Sequence, residues 1–529
     1  MGFAGPGSRG ESRTPNVVAI VGGMPTLAPS DAIRHWLSRR ARNDLFLLYC
    51  FDEPGCTPDT LRATLLARCA AVADLRIRLR EYRFAYPRWV PCGIAAEQIA
   101  EHPLPQSDWT SVGAALSDLL ADGVAAERQA WRLHLFRHVT GAPGGDGPAL
   151  VVVLQLSHAL ADGRRAAEIA RAVFGSADTG SDDGSVVEDR SAASEVGSPD
   201  TVPTGAGVGR RRLDVRRSAT GFGGTWFGRA SAVVAVRGRD LAGWAIEGRA
   251  LAALPVGVAR TVVRGIAAER ARRELAERTA RGEIPPPGGE FAPTVLNRPP
   301  APARHAVRML VRADLRVPGR TVTALVLAAI AEALPAYLAG RGEAPGELAA
   351  QVSVALPASN ALQRNNYRDV AVELHCDEND PHRRTELIAA TLAARRIRAA
   401  HPLLRAPDRA TAALPAPVLR RDIAAFPLGT VPAKLSAHTV VSSVHRGAAD
   451  LTCAGAPVRF TAGFPALGAV MHLTHGVHGL GDTITVSLHA DPDALPDLDD
   501  YAAALDTALT RVVALAAAPR DPYHSRTGG

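Results

Sequence analysis

Leu156-Ser157-His158-Ala159-Leu160-Ala161-Asp162-Gly163 closes one pattern and opens another. Before it runs Ala149-Leu-Val-Val-Val-Leu-Gln-Leu156, apolar almost throughout and β-branched at its centre, which describes a central strand. After it, Arg165 to Phe174 carries helical spacing. A histidine where a strand runs out into a loop can present its imidazole to a cleft. Its near-neutral pKa suits it to take a proton from a hydroxyl and pass it to a leaving thiolate. Gly163 is expected to permit the tight turn, and Asp162 to fix the loop by pairing with a buried arginine. The competing reading is a satisfied core histidine beside an N-capping aspartate; the order strand, loop, helix narrows the gap between the two.

Upstream, Asp31 begins a helix with apolar positions at Ile33, Trp36 and Leu37, and Leu45 to Phe51 is a short strand. Pro58 to Arg80 has apolar residues at three- and four-residue spacing, which predicts an amphipathic helix. Trp131 to His138 reads as a strand. From Ser176 to Gly209 the chain is Ser, Asp, Gly, Thr, Glu, Pro and small apolar residues, too polar to offset its ordering entropy. A basic cluster, Arg210 to Arg217, leads into an arginine-rich helical stretch from Trp226 to Arg281. That stretch fits a helix packed on the domain or one lying on a membrane surface. Beyond the proline-rich passage 285–302, strands are expected at Ala306–Val311, Val352–Leu356, Thr439–Ser442 and Thr483–His489. Helices are expected at Thr321–Leu338, Glu386–Ala400 and Leu498–Ala516.

Alternation in both halves predicts an α/β (α+β) protein of two similar units. The expected division is a disordered tail (1–15), an N-terminal unit (16–175), a linker (176–215), a helical crossover (216–290) and a C-terminal unit (291–520). A chain of 529 residues is past the size at which one core stops growing. Its net charge of +7 comes almost wholly from arginine, Lys434 being the only lysine, and is spread too evenly for nucleic acid. Six scattered cysteines with no C-x-x-C pair argue against a disulfide framework or a zinc site. His472, His475 and His478 recur at three-residue spacing, which on a strand or loop does not hold metal ligands on one face, so no metal is expected. Neither a G-x-S-x-G elbow nor a glycine-rich phosphate loop of Walker or Rossmann type is present. The longest apolar stretch, Val322 to Leu338, contains Glu332 and Pro335 and reads as a buried helix. A cytoplasmic protein is expected, with peripheral membrane contact left open.

The 156–163 stretch resembles the H-H-x-x-x-D-G motif of the wax ester synthase/diacylglycerol acyltransferase (WS/DGAT) family, within the CoA-dependent acyltransferases of chloramphenicol acetyltransferase type. Other passages follow in the family's order. Asp31 is similar to its opening D-x-x-F, Arg76-Ile-Arg78-Leu79 to R-x-R-L, Pro87-Arg-Trp89-Val90 to P-x-W-V, and Ala130-Trp131 to the end of P-L-W. Further on, Thr294 to Asn297 resembles P-L-N, Leu356-Pro-Ala-Ser359 resembles V-P-V-S, and Val440 to Val444 stands where S-N-V-P-G-P is expected. Ala454-Gly455 and Ala490 to Asp497 resemble A-G and the closing D-x-x-x-x-P-D.

The resemblance implies two chloramphenicol acetyltransferase-like domains, each a mixed sheet with helices, around a tunnel that CoA and the acceptor enter from opposite sides. It implies O-acyl transfer from an acyl-CoA to a lipid alcohol or diacylglycerol with no covalent intermediate. His158 would be general base, Asp162 and Gly163 structural, and Asn297 near the active site. Acyl-CoA is then a substrate and no cofactor is needed; a monomer is expected, and a membrane or lipid-droplet surface stays open as a partner. The departures lie at Ser157, in place of the first motif histidine, at Thr323-Ala324, in place of an Asn-Asp pair, and at Ser443, in place of the Asn of S-N-V. His445-Arg446 also replaces the P-G that follows. Ser157, Thr323 and Ser443 therefore mark a divergent member with a changed acceptor, or a silent lipid-binding relative. A third reading is transfer from a carrier-protein thioester to a secondary-metabolite acceptor.

Overall fold

A computed structural model describes residues 25–175, 241–299, 304–357 and 363–518. The expected tail at 1–15, the linker at 176–215 with its arginine cluster, and the crossover's first part lie outside the described residues.

In chain order the first half comprises α1 (Pro29–Ser38), β1 (Leu45–Asp52), α2 (Pro58–Ala71), β2 (Ile77–Arg80), β3 (Arg88–Pro91), β4 (Ile99–Glu101), α3 (Trp109–Ala121), β5 (Trp131–Val139), β6 (Ala149–Leu156) and α4 (Gly163–Phe174). The crossover is α5 (Leu241–Ala252) and α6 (Leu254–Ala280), bent by 50° where they meet, at the proline that opens the second helix. The second half comprises β7 (Ala306–Arg312), α7 (Val322–Gly340), β8 (Ala349–Ala355), β9 (Tyr367–Glu373), α8 (Pro381–Ala400), α9 (Arg405–Thr411), α10 (Ala416–Ala425), β10 (Thr439–His445), β11 (Thr452–Cys453), β12 (Ala456–Gly463), β13 (Leu473–Leu480), β14 (Thr483–Ala490) and α11 (Leu498–Ala517).

The strands form two six-stranded mixed sheets, ordered β11-β12-β1-β6-β5-β4 and β7-β14-β13-β10-β8-β9. β6 is buried along its whole length. Leu150, Val152 and Leu154 pack with Ile169, Val173 and Phe174 of α4, while Val151 and Val153 pack with Val307 from the other sheet. A strand with both faces covered in this way needs the continuous apolar run its sequence has. The C-terminal unit expected at 291–520 does not stay on its own side: β12 crosses over to pair with β1, and β11 pairs in turn with β12. That pairing covers an edge of β1 that would otherwise stand open.

The helix expected over Pro58–Arg80 stops at Ala71; a short 3-10 turn follows, and Ile77–Arg80 becomes β2, paired with β3. The alternation of Ile77-Arg78-Leu79-Arg80 and the β-branched Val72, extended at the helix end, outweigh the helical spacing upstream. α7 is long and apolar enough to cross a membrane, yet 67% of its apolar window is buried in the protein, so it is a core helix, as its sequence reads.

Candidate active site

At the end of β6 the amide of Ser157 donates to the carbonyl of Ala130 at 2.8 Å, and Leu160 closes a turn onto the Ser157 carbonyl at 2.8 Å. His158 heads this turn, half-buried. Asp162 caps α4, accepting the amide of Arg165 at 2.9 Å. Its second carboxylate oxygen accepts the amide of Asn366 at 3.0 Å, and its own amide donates to the Arg364 carbonyl at 3.1 Å. The expected buried arginine partner of Asp162 is thus replaced by backbone amides. Gly163 also serves a different purpose from the one expected. Its φ is not positive, but an added Cβ would come within 2.9 Å of Val444 Cγ2, so close approach of β10 requires the glycine.

The partner segment, Arg364-Asn365-Asn366-Tyr367, comes from the other half of the chain, and sequence reasoning missed it. The amides of Arg364 and Asn365 donate to the two oxygens of Asp31, each at 3.0 Å. Asn365 Nδ2 bridges Asp31 at 3.0 Å and the His158 carbonyl at 2.8 Å. Asp31 is wholly buried, and burial raises its pKa against the pull of these donors. The Arg364 guanidinium reaches Asp74 at 2.9 Å and the Leu160 carbonyl at 3.2 Å while lying over the Trp89 ring. Arg165 meets the other oxygen of Asp74. The arginine anchor expected at Asp162 is therefore built instead from Arg364 and Asp74. Asp31 is visible in the sequence as the start of a motif; the Asn-Asn doublet at the entry of β9 is the signal that went unread.

Tyr367 completes the site. Its hydroxyl lies 3.3 Å from His158 Nε2, and the Arg34 guanidinium sits over its ring. His158 Nδ1 is buried without a hydrogen-bond partner among the described residues. Burial, then the positive charge of Arg34, push the His158 pKa down to about 4, against the weaker pull of its own carbonyl, Asp162 and Asn365. The imidazole is therefore neutral at physiological pH, and Nε2 is the nitrogen that faces Tyr367.

Two other expected residues meet each other: Thr323, at the start of α7, lies with its Oγ1 3.0 Å from Ser443 Oγ on β10. Val444, the next residue, faces Gly163. The two altered positions thus form one hydroxyl pair next to the His158 loop. Asn297 does not join them. It holds its own turn through Thr294 and donates to the carbonyls of His438 and Val470. His438 precedes β10, six residues from Val444, which sets Asn297 roughly 15–20 Å from the loop. Nor do the three histidines converge: His472 pairs with Asp491, His475 with Thr439 and Tyr501, and His478 lies against Gly463.

Asp162→Asn is expected to destabilise the fold by about 1–3 kcal/mol, because an amide offers one acceptor where two backbone N–H groups need one each. Urea denaturation checks this, and unchanged stability would contradict the anchoring role. Thr323→Val and Ser443→Ala are expected to be non-additive by about 0.5–1.5 kcal/mol in a double-mutant cycle, as contacting hydroxyls should be.

Residues 365–512 match the family model described as the WS/DGAT C-terminal domain. The wax ester synthase/diacylglycerol acyltransferase from Marinobacter aquaeolei VT8 superposes with a TM-score of 0.55 at 18% identity, covering 93% of this chain and 100% of that one. The starter condensation domain of rhizomide synthetase RzmA, as a mutant in complex with C8-CoA and Leu-SNAC, gives a TM-score of 0.50 at 12% identity, with 95% and 97% covered. No curated protein matches the sequence.

Proposed function

We propose that the chain, whose residues 365–512 match the WS/DGAT C-terminal domain, is a divergent acyltransferase of that type that transfers an acyl group from acyl-CoA to a lipid alcohol or diacylglycerol, with His158 as general base. The observation that carries this reading is the neutral imidazole of His158 where the two halves of the chain meet, its Nε2 facing a hydroxyl. An acceptor hydroxyl taking the place of the Tyr367 hydroxyl would give its proton to Nε2 as its oxygen attacks the thioester carbonyl. The C–S bond then breaks, and the imidazolium protonates the departing thiolate. Arg34 disfavours the imidazolium, so the proton would not linger on the ring.

A cavity of about 350 Å³ supports a phosphate-bearing donor. Its lining includes Arg40, Arg42, Arg304 and His305, and the guanidinium groups of Arg40 and Arg42 bond only backbone carbonyls among the described residues. Asp44, also in the lining, precedes Leu45, which pairs with Leu156, so this wall stands roughly 10 Å from His158.

The test is incubation with labelled palmitoyl-CoA and a panel of alcohols, diacylglycerol and amines, followed by product chromatography. Labelled ester supports the reading. Labelled amide would favour the second reading, transfer from a carrier-protein thioester to a secondary-metabolite acceptor with palmitoyl-CoA standing in for that donor, which the likeness to a condensation domain bound to Leu-SNAC supports. No product from a folded protein would favour a silent lipid-binding relative.

A further inference from the structure

Eight of the eleven exposed large apolar side chains among the described residues fall between Leu241 and Ile266, on α5 and α6. Trp244 is 76% exposed, Val263 66% and Val256 60%. The pattern on α6 is directional. Val256 and Val263 stand seven residues apart, Val262 and Ile266 four apart, so they share one stripe. The opposite face holds the helix to the protein: Thr261 Oγ1 donates to the Ala413 carbonyl at 2.9 Å, Arg264 donates to the Arg409 carbonyl at 3.1 Å, and Ala268, Ala271 and Leu275 are buried. α5 is tied to the first half, the Glu247 carboxylate accepting the amides of Arg83 and Phe84. The apolar stripe from Trp244 to Ile266 thus runs roughly 33 Å along the two helix axes and is turned outward.

Its charge selects what would cover it. Glu247 is the sole carboxylate between Leu241 and Ala268, and its oxygens are already taken by backbone amides. Arg249 and Arg260 are exposed and make no ion pair among the described residues. An outward apolar stripe with an exposed tryptophan, flanked by such guanidinium groups, has the composition of a helix that lies in the headgroup region of an anionic bilayer. From this we propose that α5 and α6 form a docking surface for an anionic lipid membrane, lying on it rather than crossing it, since one face stays packed on the protein. This stands independently of the proposed reaction.

The experiment is vesicle flotation of the full chain with phosphatidylcholine alone and with phosphatidylcholine plus phosphatidylglycerol. The wild type is expected to float with the anionic vesicles and to be released by salt. Trp244→Ser with Val262→Ser and Ile266→Ser, all at exposed positions, is expected to lower binding by about tenfold or more, with the circular dichroism spectrum unchanged. Arg249→Gln with Arg260→Gln is expected to weaken binding to anionic vesicles and leave phosphatidylcholine binding as it was. The proposal is overturned if the wild type stays with the unbound fraction, or if the triple-serine variant floats equally well. It is also overturned if light scattering shows a wild-type dimer that the triple variant dissolves, because a second copy would then cover the stripe.

Discussion

Replacing His158 by alanine is expected to lower acyl transfer by about 10²–10⁴-fold, the usual loss when a positioned general base is removed. The fold should survive. What anchors the loop is the His158 carbonyl, held by Asn365, together with the carboxylate of Asp162 and the amide of Ser157. None of these is the imidazole, whose one hydrogen-bond contact among the described residues is the long one to Tyr367. Truncation leaves a partly exposed space, at a stability cost of about 1–3 kcal/mol. Turnover of purified wild type and variant, with circular dichroism and urea melts on both, separates the two effects. Near-normal turnover in a folded variant would remove His158 from the chemistry.

The protein is also expected to lose stability steeply as pH falls from about 7.5 to about 5.5. Burial pushes the pKa of His134 and His158 down to about 4, and that of His475 and His489 down to about 3. The sign follows from which state takes up protons. Below about 6.5 the unfolded histidines bind a proton and the folded ones do not, so folding is disfavoured as pH falls and the loss continues down to the folded pKa. At pH 5.5, about one unit below the unfolded value, each histidine costs about 1.4 kcal/mol and the four together about 5–6 kcal/mol. Asp44 works the other way. Burial raises its pKa to about 6, so the folded state holds its proton first and returns about 1 kcal/mol at the same pH. A net loss of about 4–5 kcal/mol is comparable to the whole stability of many domains. Urea midpoints measured between about pH 7.5 and 5.5 check it, and a flat profile would mean that these histidines are protonated or solvated in the folded protein.

The strand at 149–156, the helix after Gly163 and the place of His158 in the loop between them could be read from sequence because each depends on local pattern: an unbroken apolar run, a helical period, and a polar break between them. The other wall of the site could not. Asp162 and Asn366 lie 204 residues apart, Asp31 and Asn365 334 apart, and no periodicity links such pairs. Thr323 and Ser443 each stand out as a departure from a motif, but only the packing of α7 on β10 makes them one pair. Asn297 resembles a site residue because of its motif, whereas its side chain is spent on two carbonyls, one of them at the entry to β10. Gly163, expected to serve a turn, serves a contact, a distinction carried by Val444 in the other half of the chain.

The most direct test of His158 as the transferring base is the pH dependence of kcat/KM for acyl transfer between about pH 5.5 and 8, with circular dichroism recorded at each point. A base held at a pKa of about 4 is already unprotonated across this range, so the folded enzyme should show a flat profile. A fall of about tenfold towards pH 5.5 with the fold intact, centred near 6.5, would report an ordinary solvated histidine and contradict the account.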